Sequence, residues 1–129
     1  MPVAAYISLV AYDIELADRI RELISAEAGV SETKMFGGLA FLINGHMTIA
    51  SSGQGGALVR VDPSRTEALT GTGQAEVAVM SGREMPGWLR VESGQLRTKR
   101  QLGSWIKIAL AYTQSLPPKS AKKPKRGAG

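Results

Sequence analysis

Met35-Phe36-Gly37-Gly38-Leu39-Ala40-Phe41-Leu42-Ile43-Asn44-Gly45-His46-Met47-Thr48-Ile49 decides how this chain folds. Two runs of extended-chain formers flank Asn44-Gly45, and Asn-Gly is the dipeptide best suited to the two positive-φ positions of a tight hairpin turn. Leu39 to Ile43 and Met47 to Ala50 are therefore the arms of a β-hairpin. Phe36, Phe41, Ile43, Met47 and Ile49 give it an apolar face. An isolated hairpin is marginal in water, so that face predicts further strands and a covering layer.

Just upstream, a strand beginning near Thr33 runs into Gly37-Gly38, where the missing Cβ atoms permit a bulge or a close backbone approach. The pair lacks the Gly-x-Gly-x-x-Gly fingerprint, and no lysine or helix follows at phosphate-loop spacing, so a structural bend is expected there and not an anion cradle. Further upstream, Leu16, Ile20, Leu23 and Ile24 recur at helical spacing while Asp18, Arg19, Arg21 and Glu22 form the wet face. This predicts an amphipathic helix over 13–28, capped by Asp13 and ended by Ala28-Gly29.

Downstream of the hairpin, Ser51 to Gly56 is a flexible connection to a strand over 57–61, in which Leu58 and Arg60 alternate with Val59 and Val61. Asp62-Pro63 starts a short helix over 64–69, since Asp caps free donors and Pro fits the first turn. Glu76 to Met80 is the next strand. The last strand is expected to begin near Trp88, because Pro86 lacks the donor a central ladder needs. Thr98 caps a closing helix whose inner stripe is Leu102, Trp105, Ile106, Ala109, Leu110 and Thr113, with Pro117-Pro118 as its stop.

The predicted fold class is α+β: a two-layer domain with an antiparallel sheet of about five strands covered by helices, in the order α-β-β-β-α-β-β-α. One body spans 12–117, preceded by an N-terminal extension over 1–11 and followed by a basic, disordered tail over 118–129. A chain of 129 residues suits one domain with a real core. Short strands leave edges, and one edge can pair across a two-fold axis to give a homodimer.

Composition removes several classes of function. The chain has no cysteine, so disulfides, thiolate metal sites and cysteine nucleophiles are excluded. His46 is the sole histidine, which excludes a paired-histidine metal site within one chain. Ser51, Ser52 and His46 lie near one another in sequence, but no base, orienting group and oxyanion site is established together. Asp62, Glu67, Glu76 and Glu84 are scattered and define no carboxylate pair. Neither a catalytic constellation nor a cofactor is called for, and an enzyme is the last of three readings. Residues 3–11 are too short for a membrane span and lack the basic flank of an export signal, so a cytoplasmic protein with no membrane partner is expected.

The net charge of +5 belongs to the end of the chain. Lys119, Lys122, Lys123, Lys125 and Arg126 fall in the last eleven residues, and setting them aside leaves 11 basic against 11 acidic residues. Two binding readings follow. In the first, the hairpin region, comprising Phe36, Gly37, Gly38, Asn44, Gly45 and His46, or a sheet edge engages a regulatory protein. In the second, Arg60, Arg90, Arg97, Lys99 and Arg100 gather into a basic patch, and Lys122, Lys123, Lys125 and Arg126 add sequence-independent phosphate contacts. Trp88 either caps the hydrophobic layer or stacks on a base.

The chain resembles the N-terminal domain family of the bacterial competence regulator TfoX/Sxy, in particular its small single-domain members. The resemblance is carried by Ala11-Tyr12-Asp13 and Leu16, Met35 to Phe41, Asn44-Gly45-His46-Met47, Leu58-Val59-Arg60-Val61-Asp62-Pro63, Gly82-Arg83-Glu84-Met85-Pro86-Gly87-Trp88, Trp105-Ile106 through Ala109-Leu110-Ala111-Tyr112, and Leu116-Pro117-Pro118-Lys119. It covers about four fifths of the chain. It implies a compact α+β fold and a part in regulating natural competence or related transcription, with no catalytic residue to carry over. In the larger regulators such a domain is joined to a separate C-terminal domain that these residues do not include.

Overall fold

Six strands form a single antiparallel sheet in the computed structural model, which describes residues 12–35 and 37–118. In chain order the elements are helix α1 (Ile14–Ile24), strands β1 (Val30–Met35), β2 (Gly38–Ile43), β3 (His46–Ser51) and β4 (Ala57–Arg60), helix α2 (Thr66–Thr70), strands β5 (Glu76–Met80) and β6 (Arg83–Val91), and helix α3 (Lys99–Thr113). The strands lie side by side as β1-β2-β3-β4-β6-β5. The fold class and element order are those expected, with the first expected strand folded back on itself to give β1 and β2.

That reversal is what the sequence left open at Gly37-Gly38. Met35 pairs with Gly38, and Gly37 has φ +78°, so the chain turns back here instead of bulging. Asn44 and Gly45 take φ values of +52° and +86°, the two left-handed positions of a type I′ turn. Gly29 (φ +79°) does not cap the first helix. That helix stops at Ile24, and the Gly29 carbonyl accepts a hydrogen bond of 2.9 Å from Asn44 N–H, locking the entry of β1 against the hairpin turn.

The helices start where their caps predict. Asp13 Oδ1 accepts from Leu16 N–H at 3.0 Å. At α3, Thr98 and Gln101 form a reciprocal capping box, each side chain accepting the other's backbone N–H at 3.0 Å. Strand β6 begins at Arg83, five residues before Trp88, because the ladder accommodates Pro86 without asking it for a hydrogen bond. Met85 pairs with Ala78 and Leu89 with Val77, so Pro86-Gly87-Trp88 has no counterpart on β5. On its other side β6 is held by Val61 N–H donating to the Gly87 carbonyl at 2.8 Å.

One face of the sheet carries Leu39, Phe41, Ile43, Ile49, Val59, Leu89 and Val91 against Leu16, Ile20 and Ile24 of α1 and Leu102, Trp105, Ile106 and Ala109 of α3. Each fully buried side chain of this size stabilises the fold by about 1.5–3 kcal/mol, so this helix-covered face holds the domain together. The opposite face has no helix over it. It carries a second apolar cluster, Ala40, Met47, Ala50, Leu58 and Ala78, all buried, with Met35, Leu42, Met80 and Trp88 half-buried around it.

Candidate functional site

The open face of the sheet is where reactive and apolar groups converge. Antiparallel register sets Leu58 opposite Arg90 and Arg60 opposite Trp88, so both arginines share this face as diagonal neighbours. The Arg60 guanidinium carbon stands 5.0 Å from the centre of the Trp88 ring and 5.5 Å from that of Tyr112, at the end of α3. At these distances the guanidinium is within cation–π reach of both rings.

Arg90 is arranged differently. One Nη donates to Gln54 Oε1 at 2.9 Å and sits 3.5 Å from Ser52 Oγ, while the other donates to the Gly55 carbonyl at 3.4 Å. These neutral acceptors orient the guanidinium without cancelling its charge. It borders a cavity of about 310 Å³ lined by Ser52, Gln54, Leu58, Ala78, Met80 and neighbouring residues. Among the described residues the ion pairs are those of Arg21, with Asp18 and Glu32, on the helix-covered side. The bidentate hydrogen bonds from Arg21 hold the Glu32 carboxyl below its usual range, and Glu32 in turn raises the Arg21 guanidinium.

The hairpin residues named from the sequence do not form one patch. Gly37 and Gly38 lie at one end of β2, and Asn44, Gly45 and His46 follow its other end. Phe36 lies outside the described residues. Gly38 and Gly53 are places of close backbone approach: a Cβ on Gly38 would meet the Ser51 carbonyl oxygen at 2.2 Å, and one on Gly53 would meet that of Gly37 at 2.6 Å. His46 Nε2 lies 2.6 Å from the Pro117 carbonyl and ties the segment after α3 to the hairpin.

The basic residues are divided as well. Arg60 and Arg90 are on the open face, whereas Arg97, Lys99 and Arg100 surround the start of α3. There they are joined by Arg19, whose Nη2 donates to the Leu96 and Arg97 carbonyls at 2.7 and 3.1 Å. Lys122, Lys123, Lys125 and Arg126 lie outside the described residues.

Ser51 closes β3 while His46 opens it, and the Ser51 hydroxyl donates to the Asp13 carbonyl at 2.8 Å. The two are therefore not a nucleophile and its base. Among the described residues no group of three or more His, Cys, Asp or Glu side chains is placed to hold a metal ion. No described helix is long and apolar enough to cross a membrane.

Sequence reasoning named Arg60 and Arg90 but missed the contact of Arg60 with Trp88 and Tyr112, and it missed Leu42, Met80 and Arg83 on the same face. One signal was available: Leu39-Ala40-Phe41-Leu42-Ile43 is a continuous apolar run, not an alternating one, and such a run marks a strand apolar on both faces.

Fold and site together define a small two-layer α+β domain whose helix-free sheet face carries a second, buried apolar cluster bordered by arginines. The chain belongs to the TfoX N-terminal domain family, whose model matches residues 22–113. That span runs from α1 to the last residue of α3 and so includes every strand of the sheet. A comparison with the curated proteins gives no match.

Proposed function

We propose that this chain is a cytoplasmic, non-enzymatic regulatory domain that acts in the control of competence or related transcription by holding a second protein against the open face of its sheet. The observation that carries this reading is the apolar cluster on that face, with Leu42, Met80, Met35 and Trp88 half-buried where no helix covers them. Arg60, Arg83 and Arg90 lie on the same face, against Glu76 as its acid. That balance fits a partner surface that is apolar at its centre and acidic around it. Membership of the TfoX N-terminal domain family supports the regulatory setting.

The test is retention from a nuclease-treated native lysate by immobilised protein lacking residues 119–129, followed by direct binding with the purified partner. Met80→Glu and Leu42→Asn are expected to weaken that binding at least tenfold, and Lys107→Glu, on the exposed side of α3, to leave it unchanged. Equal binding by all four proteins overturns the reading.

A weak nucleic-acid binder is the second reading, favoured by one arrangement: Arg60 between Trp88 and Tyr112, with Arg90 diagonal to it, offers a stacking ring beside two cations on an open sheet. On this reading, binding of single-stranded DNA or RNA survives deletion of 119–129, falls with salt, and is abolished by Arg60→Glu with Arg90→Glu. Binding that disappears with the tail alone assigns it to the tail.

A further inference from the structure

We propose that two copies of this chain pair through β5, joining their sheets edge to edge across a two-fold axis at Ala78. The free edges of the sheet are β1 and β5. Strand β1 exposes Ser31, Glu32, Thr33 and Lys34, and a polar, charged edge of this kind discourages pairing. Strand β5 reads Glu76-Val77-Ala78-Val79-Met80, with no lysine, no proline and a single charge. Val79 is 59% exposed, well above Ile14 at 38%, the other large apolar side chain left open among the described residues.

The backbone of β5 is set up for this contact. Ser81 and Gly82, with φ of +53° and +77°, form a two-residue turn closed by Met80 and Arg83. The pair closing such a turn exchanges both of its hydrogen bonds, so Met80 spends its N–H and C=O on β6. Alternation along β5 then turns the N–H and C=O groups of Val79 and Val77 outward. The irregularity in this ladder lies in β6, at Pro86-Gly87-Trp88, and leaves β5 itself regular.

Antiparallel pairing centred on Ala78 sets Val77 against the partner's Val79 and Val79 against the partner's Val77, and each of these pairs exchanges hydrogen bonds. Val77 and Val79 share one face, so the exposed Val79 is covered by a valine. On the other face Ala78 meets its own copy, and Glu76 lies opposite the partner's Met80, whose neighbour on β6 is Arg83. No like charges are brought opposite one another. The strand is complementary to itself, which makes a second copy the occupant. A contact of one short strand falls below the roughly 1,200 Å² of a stable interface, so dissociation on the order of micromolar or weaker is expected.

The chain lacks cysteine, so an introduced thiol reads the register directly. Ala78→Cys places two thiols on a non-hydrogen-bonded pair with Cα atoms about 4.5 Å apart, within disulfide reach. Glu76→Cys and Met80→Cys put each residue roughly 14 Å from its own copy but opposite the other. Under mild oxidation of the full chain, Ala78→Cys is expected to form a covalent dimer, and Glu76→Cys with Met80→Cys to link only when mixed.

By sedimentation the wild type is expected to pass from monomer to dimer between low micromolar and near-millimolar concentration. Val79→Pro, which removes one outward N–H and spares the pairing with β6, is expected to remain a monomer with an unchanged circular dichroism spectrum. If Val79→Pro fails to fold, the cysteine pattern decides alone. A wild type that is monomeric throughout overturns the proposal, and so does a dimer in which Ala78→Cys links no better than Glu76→Cys or Met80→Cys.

Discussion

The bond between Thr48 and Thr113 fastens the end of α3 to the sheet, and a double-mutant cycle reads it. Both side chains are fully buried. Thr113 Oγ1 donates to the Ala109 carbonyl at 3.1 Å and accepts from Thr48 Oγ1 at 3.0 Å. Thr48 has the His46 carbonyl at 3.1 Å as an alternative acceptor. Replacing either residue with valine keeps its shape and removes the same bond, at a cost of about 0.5–1.5 kcal/mol. Neither change strands a donor: in Thr113→Val the Thr48 hydroxyl turns to His46, and in Thr48→Val the Thr113 hydroxyl keeps Ala109. The double variant loses the shared bond only once, although it also gives up the His46 and Ala109 bonds that the single variants keep, and two matched apolar groups now face each other. It is therefore expected to be less destabilised than the sum of the two single variants, by a coupling of about 1 kcal/mol. Urea denaturation at neutral pH measures all four corners. Single effects that sum within roughly 0.3 kcal/mol would refute the shared bond.

Three further perturbations separate close approach, charge pairing and interlayer fastening. Gly38→Ala pushes a Cβ to 2.2 Å from the Ser51 carbonyl oxygen, and spreading β2 from β3 to relieve it is expected to cost about 1–3 kcal/mol in denaturant midpoints; Gly94→Ala, with nothing within 4 Å, should stay within about 0.5 kcal/mol. Glu32→Gln removes a partly exposed bidentate contact with Arg21 at 2.5 and 2.9 Å, worth at most about 1 kcal/mol at neutral pH. The folded carboxyl titrates below the unfolded one, so this difference is present above about pH 4.3, shrinks as pH falls through the folded value, and is absent in stronger acid; unfolding curves between pH 7 and pH 2 follow it. Arg19→Met keeps the apolar stem but loses the donations to Leu96 and Arg97, and about 1.5–3 kcal/mol should disappear from thermal or denaturant unfolding.

What the sequence made legible follows from interactions a few residues long. Asn44-Gly45 announced its turn because two positive-φ positions restrict the choice of residue so strongly. Asp13 and Thr98 announced their helices because a cap is satisfied within three residues. Long-range geometry was less visible. Gly37-Gly38 suits a bulge or a reversal equally well, and what selects the reversal is the pairing of Met35 with Gly38 and the approach of Gly53. Gly29 looks like a helix cap, but its conformation serves a contact with Asn44 across the hairpin. Pro86 argued for a late start to β6 because a ladder position was assumed to need its N–H, whereas a three-residue insertion opposite β5 removes that need. For the site, Arg60 and Arg90 were visible as cations. Their meeting on one face, and that of Arg60 with Trp88, depends on the register of β4 against β6, which nothing local encodes.

The two faces of the sheet do different work. If the open face had only to meet water, positions 40, 42, 47, 50 and 58 would carry polar side chains, as the alternation of a half-covered antiparallel sheet requires. They carry Ala, Leu, Met, Ala and Leu, and positions 40, 47, 50 and 58 are buried. The helix-covered core is complete without them, since Phe41, Ile49, Val59 and Leu89 reach zero exposure against the helices. Small residues at 40, 50 and 78 keep the middle of the open face shallow, while Leu42, Met35, Met80 and Trp88 rise around it. That relief, with Arg60 and Arg90 placed beside aromatic rings and neutral acceptors instead of carboxylates, is not required by the helix-covered core. The helix layer makes the domain stable, which leaves the other face free to serve the contact proposed for it.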